Sequence, residues 1–244
     1  MKSRRVLFYG ALLAAPVVAA SAHVAWHLWR SLQLVRRSEP LQARPARPVH
    51  RLLVVGDSTG VGTGASSPKA SLAGLIAAAH PQLAVVNRSA DGATFAEIAA
   101  QLDGSDRFDA VLILGGGNDV IRLTGASKLR SDIDRAVTRA RALSDTVVLM
   151  PAGNVGNAPF FFWPWSALAT RRARALQATA RAVAAARGAT FVSLFKEHRD
   201  DPFAREPDRL NASDGLHPSD AGYRLWLTEL NAQSDLDSRL GRPA

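Results

Sequence analysis

The chain contains no cysteine, which excludes disulfides, thiolate metal sites and cysteine nucleophiles and leaves the redox compartment undetermined. Histidine is also scarce. His50, His80, His198 and the pair His23 and His27 form no ligand spacing, so no metal is expected and each is more simply a surface residue. Acidic residues are nearly missing from one end: residues 1–51 hold nine Lys/Arg against the single acid Glu39, whereas the remaining 193 residues hold 21 bases and 20 acids. The net charge of +9 therefore belongs to an N-terminal arm. A phosphate-tracking domain carries clustered Lys/Arg on its folded body, so no nucleic-acid partner is expected. The glycine-rich run from Gly56 to Gly64 has no Gly-Lys-Ser/Thr and does not match Gly-x-Gly-x-x-Gly, which disfavours a phosphate cradle, and no cofactor is expected.

What is present suits one core. A chain of 244 residues, 47% hydrophobic, is in the range of a single domain. Ahead of that domain, residues 6–29 contain no Lys, Arg, Asp or Glu, long enough to cross a bilayer. A cleaved signal peptide competes, since Ala20-Ser21-Ala22 has the small-x-small form of a processing site. The uncleaved anchor is preferred because apolar character resumes in Val24, Ala25, Trp26, Leu28 and Trp29, and tryptophans suit the interface. Basic residues flank both ends, which leaves the side of the membrane undecided. A membrane-anchored chain is thus expected, or one exported to the cell envelope if the segment is cleaved. Residues 1–30 are read as the anchor or signal segment, 31–50 as a Pro/Arg-rich linker with three prolines, and 51–244 as the folded domain.

Within the domain, short apolar runs at 52–55, 83–86, 110–114, 146–150 and 190–194 predict about five buried strands. Between them, 71–79, 95–102, 128–143 and 166–186 have helical period, and a last helix begins near Ser219 or Asp220. This alternation predicts an α/β fold: a parallel sheet with helices on both faces.

Ligands of such sheets bind beyond the carboxyl ends of the strands. Three of those ends are informative. The first run is followed by Gly56-Asp57-Ser58-Thr59-Gly60, a small-residue turn that can expose a serine hydroxyl. After the second comes Gly92, whose N–H can approach a substrate oxygen closely; after the third, Gly115-Gly116-Gly117-Asn118-Asp119 can aim the Asn118 amide into a cleft. A serine attacking at neutral pH needs a base and an orienter for that base, and Asp214-Gly215-Leu216-His217 offers both. Taken singly, each piece has an ordinary reading: a helix cap at Asp57-Ser58, a tight turn at Asn118, a solvated loop at Asp214 and His217. Their joint order, each at a strand end or just before the last helix, favours one cleft that collects them.

Gly56-Asp57-Ser58, Gly92, Gly116-x-Asn118-Asp119 and Asp214-x-x-His217 resemble the four blocks of the SGNH, or GDSL-type, esterase and lipase family, in the family's order, across roughly residues 51–230. The stretch Asn87-x-x-x-x-Gly92-Ala93-Thr94 resembles the second block, although the residues between differ from its usual Gly and Ser. The resemblance implies a three-layer α/β/α sandwich of flavodoxin-like, doubly wound type. It also implies Ser58 as nucleophile, His217 as base and Asp214 as its partner, with the N–H groups of Ser58 and Gly92 and the Asn118 amide as oxyanion hole. The expected activity is hydrolysis of a carboxylic ester, on a small molecule or a glycan, through an acyl-serine. Alternatives are an O-acetyl polysaccharide deacetylase and a catalytically silent module that binds glycans or lipids. The apolar loop Phe160, Phe161, Phe162, Trp163 and Trp165, broken by prolines, either folds back over the core, lines an acyl pocket or lies against the membrane.

Overall fold

The computed structural model describes residues 2–241, with side chains from residue 19 onward. Five strands, β1 (His50–Gly56), β2 (Leu83–Asn87), β3 (Ala110–Gly115), β4 (Val147–Pro151) and β5 (Thr190–Phe191), form one sheet in the order β2-β1-β3-β4-β5. Every pairing is parallel. This is the flavodoxin-like doubly wound order, with its switch point between β1 and β3. The long helices are α1 (Lys2–Val35), α3 (Leu72–Ala79), α4 (Phe95–Gln101), α6 (Ala126–Leu143), α7 (Trp165–Arg187) and α10 (Asp220–Gln233). Short ones are α2 (Ser58–Val61), α5 (Gly117–Ile121), α8 (Pro202–Arg205), α9 (Pro207–Leu210) and α11 (Leu236–Leu240).

The apolar runs are continuous because both faces of the sheet are covered. Leu53, Val55, Val111, Ile113, Val147 and Leu149 pack beneath α4, α6 and α7. Their alternates Leu52, Val54, Leu112, Leu114, Val148 and Met150 pack against α3, α10 and α11. Local chemistry sets the helix starts: Ser71 Oγ accepts from Gly74 N–H at 3.1 Å, and Ser219 Oγ caps α10 by accepting from Gly222 N–H at 3.3 Å. The last strand is shorter than its apolar run, ending at Phe191 rather than 194. Just beyond it, the Gln233 side chain takes both backbone groups of Ser193, at 2.9 and 3.1 Å, in place of a neighbouring strand.

The segment between α1 and β1 is extended, as its prolines require, but it is fixed to the body. Ala43 bridges Val85 with bonds of 3.1 and 2.9 Å, and the Gln42 side chain bonds both backbone groups of Asn87. β2 is an edge strand whose outward backbone groups need partners, and this segment supplies them. Of the expected anchor, residues 6–18 lie outside the described side chains. Among the described residues no helix is long and apolar enough to cross a membrane. From His23 onward α1 packs on the domain, leaving Trp26, Trp29 and Leu32 about half exposed.

Candidate active site

β1 delivers Ser58 to the switch point. The strand stops at Gly56, where a Cβ would lie 2.4 Å from the Leu114 carbonyl oxygen. On its other side the Gln101 side chain clamps the same residue, accepting from Gly56 N–H at 2.8 Å and donating to Gly56 O at 2.9 Å. Nothing in the sequence singled out Gln101; its partner lies 45 residues away. Asp57 then caps α2, its Oδ1 accepting from Thr59 N–H at 2.9 Å and Thr59 Oγ at 2.7 Å. Ser58 is the first residue of that helix, so its N–H has no intrahelical partner. The capping reading of this turn is therefore realised, with Ser58 buried rather than exposed.

Two other strand ends converge there. The loop after β2 is tied to α2 by Asn87 Nδ2 donating to Gly60 O at 2.8 Å, and Gly92 adopts a φ of 76°. After β3, Gly116 turns the chain with a φ of 97° into α5, and Asn118 Nδ2 donates to Ala93 O at 3.1 Å. An amide has two hydrogens, so one remains for a ligand. Asp214 and His217 sit on the loop between α9 and α10, closed by a bridge between Asn211 and Pro218.

The structure joins these side chains. His217 Nδ1–H donates to Asp214 Oδ2 at 2.5 Å, and His217 Nε2 accepts from Ser58 Oγ–H at 2.8 Å. Asp214 is fully buried and Ser58 and His217 are each 8% exposed. Asp214 Oδ1 accepts from the N–H groups of Leu216 and His217 at 3.0 and 3.1 Å, and its Oδ2 also accepts from Ser31 Oγ at 2.6 Å. Burial alone would raise the Asp214 pKa; the bond and charge of His217, with the donors from Ser31 and Leu216, overcome it and hold the carboxyl down at about 2. Asp57 and Asp119 behave oppositely. Burial pushes both above the ordinary carboxylate range, and their mutual repulsion adds to the rise at Asp57. The arrangement can draw the proton from a serine hydroxyl onto an imidazole whose tautomer is fixed from behind.

Ser58, Gly92, Asn118 and His217 all line one cavity of 330 Å³. Its other walls are mostly apolar, with Ile121, Val155, Phe160, Leu194, Phe203 and Trp226 among them. Of the aromatic loop only Phe160 reaches it. Phe161, Phe162 and Trp165 line an adjoining cavity of 260 Å³ that shares Phe160 and Ile121 with the first. Trp163 lines neither and is 80% exposed at the turn leading into α7, which corrects its place in an acyl pocket. Leu28, Ser31 and Val35 of α1 also line the main cavity. Two of the other histidines are engaged away from the site, His80 with Asp237 at 2.9 Å and His198 with Asn157 at 3.1 Å. Among the described residues no group of three or more His, Cys, Asp or Glu could hold a metal ion.

Comparison with known proteins bears on the family and the fold. The model of the GDSL-like Lipase/Acylhydrolase family matches residues 54–225. A GDSL-like esterase of Mycobacterium tuberculosis is 27% identical over 230 residues, covering 86% of this chain and 72% of its own. The fold is shared with solved structures of lower identity. The crystal structure of TesA has a TM-score of 0.59 at 24% identity, covering 75% of this chain and 97% of its own. Axe2, an acetylxylan esterase from Geobacillus stearothermophilus, has a TM-score of 0.54 at 19% identity, covering 82% and 97%. From its four ordered blocks, its sheet order and a family match spanning most of its length, the chain belongs to the GDSL-like lipase/acylhydrolase family of ester hydrolases.

Proposed function

We propose that the chain hydrolyses a carboxylic ester at Ser58, with His217 as general base and Asp214 as the group that orients it. The observation that carries this reading is the unbroken line from Asp214 through His217 to Ser58, at 2.5 and 2.8 Å, ending in a 330 Å³ cavity. As Ser58 Oγ attacks the ester carbonyl carbon, its proton passes to His217 Nε2, and the carbonyl π electrons move onto oxygen. Asp214, ionised at neutral pH, stabilises the imidazolium without taking its proton. The oxyanion is met by the N–H groups of Ser58 and Gly92 and by the second amide hydrogen of Asn118. Collapse of this intermediate breaks the bond to the alcohol, which leaves with the proton from His217. Water, deprotonated by the same imidazole, then attacks the acyl-serine and releases the acid.

Asn118 tests the reaction. Its amide serves the oxyanion more than the ground state, so Asn118→Ala should lower kcat by about 100- to 1,000-fold with little change in KM. A rise in KM with kcat unchanged would make Asn118 a binding or turn residue.

The apolar wall supports an acyl group longer than acetyl. Phe160→Ala should lower kcat/KM for a butyrate ester about tenfold more than for an acetate ester, since each buried methylene is worth roughly 0.8 kcal/mol and the two acyl groups differ by two. Trp163→Ala, outside both cavities, should leave the ratio unchanged. Equal losses on both esters for Phe160→Ala would remove this acyl-pocket assignment, and a wild-type preference for acetate would favour a deacetylase.

A further inference from the structure

The helix ahead of the folded body reaches into the site. Ser31 Oγ donates to Asp214 Oδ2 at 2.6 Å, and one turn earlier His27 Nδ1–H donates to the main-chain carbonyl oxygen of Asp214, also at 2.6 Å. A further turn back, His23 Nε2–H donates to Phe160 O at 3.3 Å. Leu28, Ser31 and Val35 form part of the cavity wall. Steps of three and four residues place these side chains on one face of a helix, while Trp26, Trp29 and Leu32 are about half exposed. His23, His27 and Ser31 on the inward face thus each have a partner in or beside the site.

The Asp214 carboxylate has no access to solvent, so every donor it receives comes from the protein. Its Oδ1 is held by its own loop through the N–H groups of Leu216 and His217, and Oδ2 is shared by His217 and Ser31. Ser31 is the one of these four donors that comes from outside the loop. We propose that Ser31 is a positioning residue for the reaction, locking Asp214 so that His217 faces Ser58, and that the part of α1 from His27 to Val35 belongs to the active site rather than to a connector. This rests on the reading of Ser58, His217 and Asp214 as the catalytic triad. Without Ser31, Oδ2 keeps only the imidazole donor, and the carboxylate is held solely by donors of its own loop. His27 acts on the same residue from its backbone side, fixing the loop that carries it.

The test uses the full chain in detergent, with Ser31→Ala, Ser31→Thr and Ser58→Ala assayed on p-nitrophenyl butyrate. Ser31→Ala removes one oxygen and introduces the best helix former, so the fold is not at risk. Loss of a charge-assisted bond should lower kcat about tenfold with KM changed by no more than about twofold. Labelling by a serine-directed phosphonate should slow by a similar factor, and Ser31→Thr, which keeps the hydroxyl, should recover most of both. Wild-type kcat and labelling in Ser31→Ala would overturn the proposal; so would a loss that Ser31→Thr does not recover, because packing rather than the hydroxyl would then be responsible. Ser58→Ala separates the two claims. If it retains turnover the triad reading itself has failed, whereas an inactive Ser58→Ala beside a fully active Ser31→Ala rejects the role of Ser31 alone.

Discussion

Replacing Ser58 with Ala is expected to lower ester turnover by on the order of 10⁵-fold or more, with thermal unfolding unchanged. The size follows from position. Ser58 Oγ is the atom reached by His217 Nε2, at 2.8 Å, and among the described residues no second hydroxyl is joined to that imidazole. The substitution removes one oxygen from a residue at the floor of a cavity, so it opens no hole in either core cluster. What activity is left should come from the oxyanion donors and the binding of substrate, which this change leaves in place. Turnover measured on the purified variant, with its unfolding midpoint, checks both halves of the prediction. Near-wild-type kcat in a folded variant would place the nucleophile elsewhere.

Asp214→Asn should produce the next largest loss, on the order of 10⁴-fold in kcat. A carboxylate only accepts, which forces the proton of neutral His217 onto Nδ1 and leaves Nε2 to receive the Ser58 proton. An amide can donate to Nδ1 instead, and the imidazole then presents an N–H to a hydroxyl that must lose its own proton. The same substitution has a consequence for stability. The folded pKa of Asp214 is depressed, to about 2 from an ordinary 3.8, so its contribution is present above about pH 4 and disappears as pH falls through the folded value. The side chain is fully buried, and the shift corresponds to a contribution on the order of 2 kcal/mol. The gap in unfolding free energy between wild type and Asp214→Asn should therefore narrow as pH is lowered from about 4 to about 2. A gap independent of pH over that window would mean that the carboxylate gains nothing from its donors.

The strands were legible because their signal is local: 52–55 and 110–114 are runs of branched apolar residues stopped by glycine, and both fall within β1 and β3. Ser58, Gly92, Asn118, Asp214 and His217 were legible for a related reason. Each stands in or beside a short turn that is ordinary alone, and the strand ends together with the loop before α10 bring these turns to one place. The contribution of α1 was not legible. Ser31 and Asp214 are 183 residues apart, and a serine in an apolar helix has no composition that points to a buried carboxylate. The same holds for Gln101 on Gly56 and for Ala43 on Val85, which are set by tertiary approach and leave no periodicity. The aromatic loop shows a middle case. Its apolar character marked it as important, but the direction of each ring depends on the path of the turn into α7, which sends Phe160 toward Ser58 and Trp163 to solvent.

The central claim is that Ser58 is the nucleophile, and covalent labelling tests it most directly. The full chain, treated with a serine-directed alkyl phosphonate until turnover stops and then digested for peptide mass spectrometry, should carry a single adduct on Ser58, with inactivation tracking labelling at one adduct per chain. Inactivation accompanied by an adduct on a different residue, with Ser58 unmodified, would contradict the account.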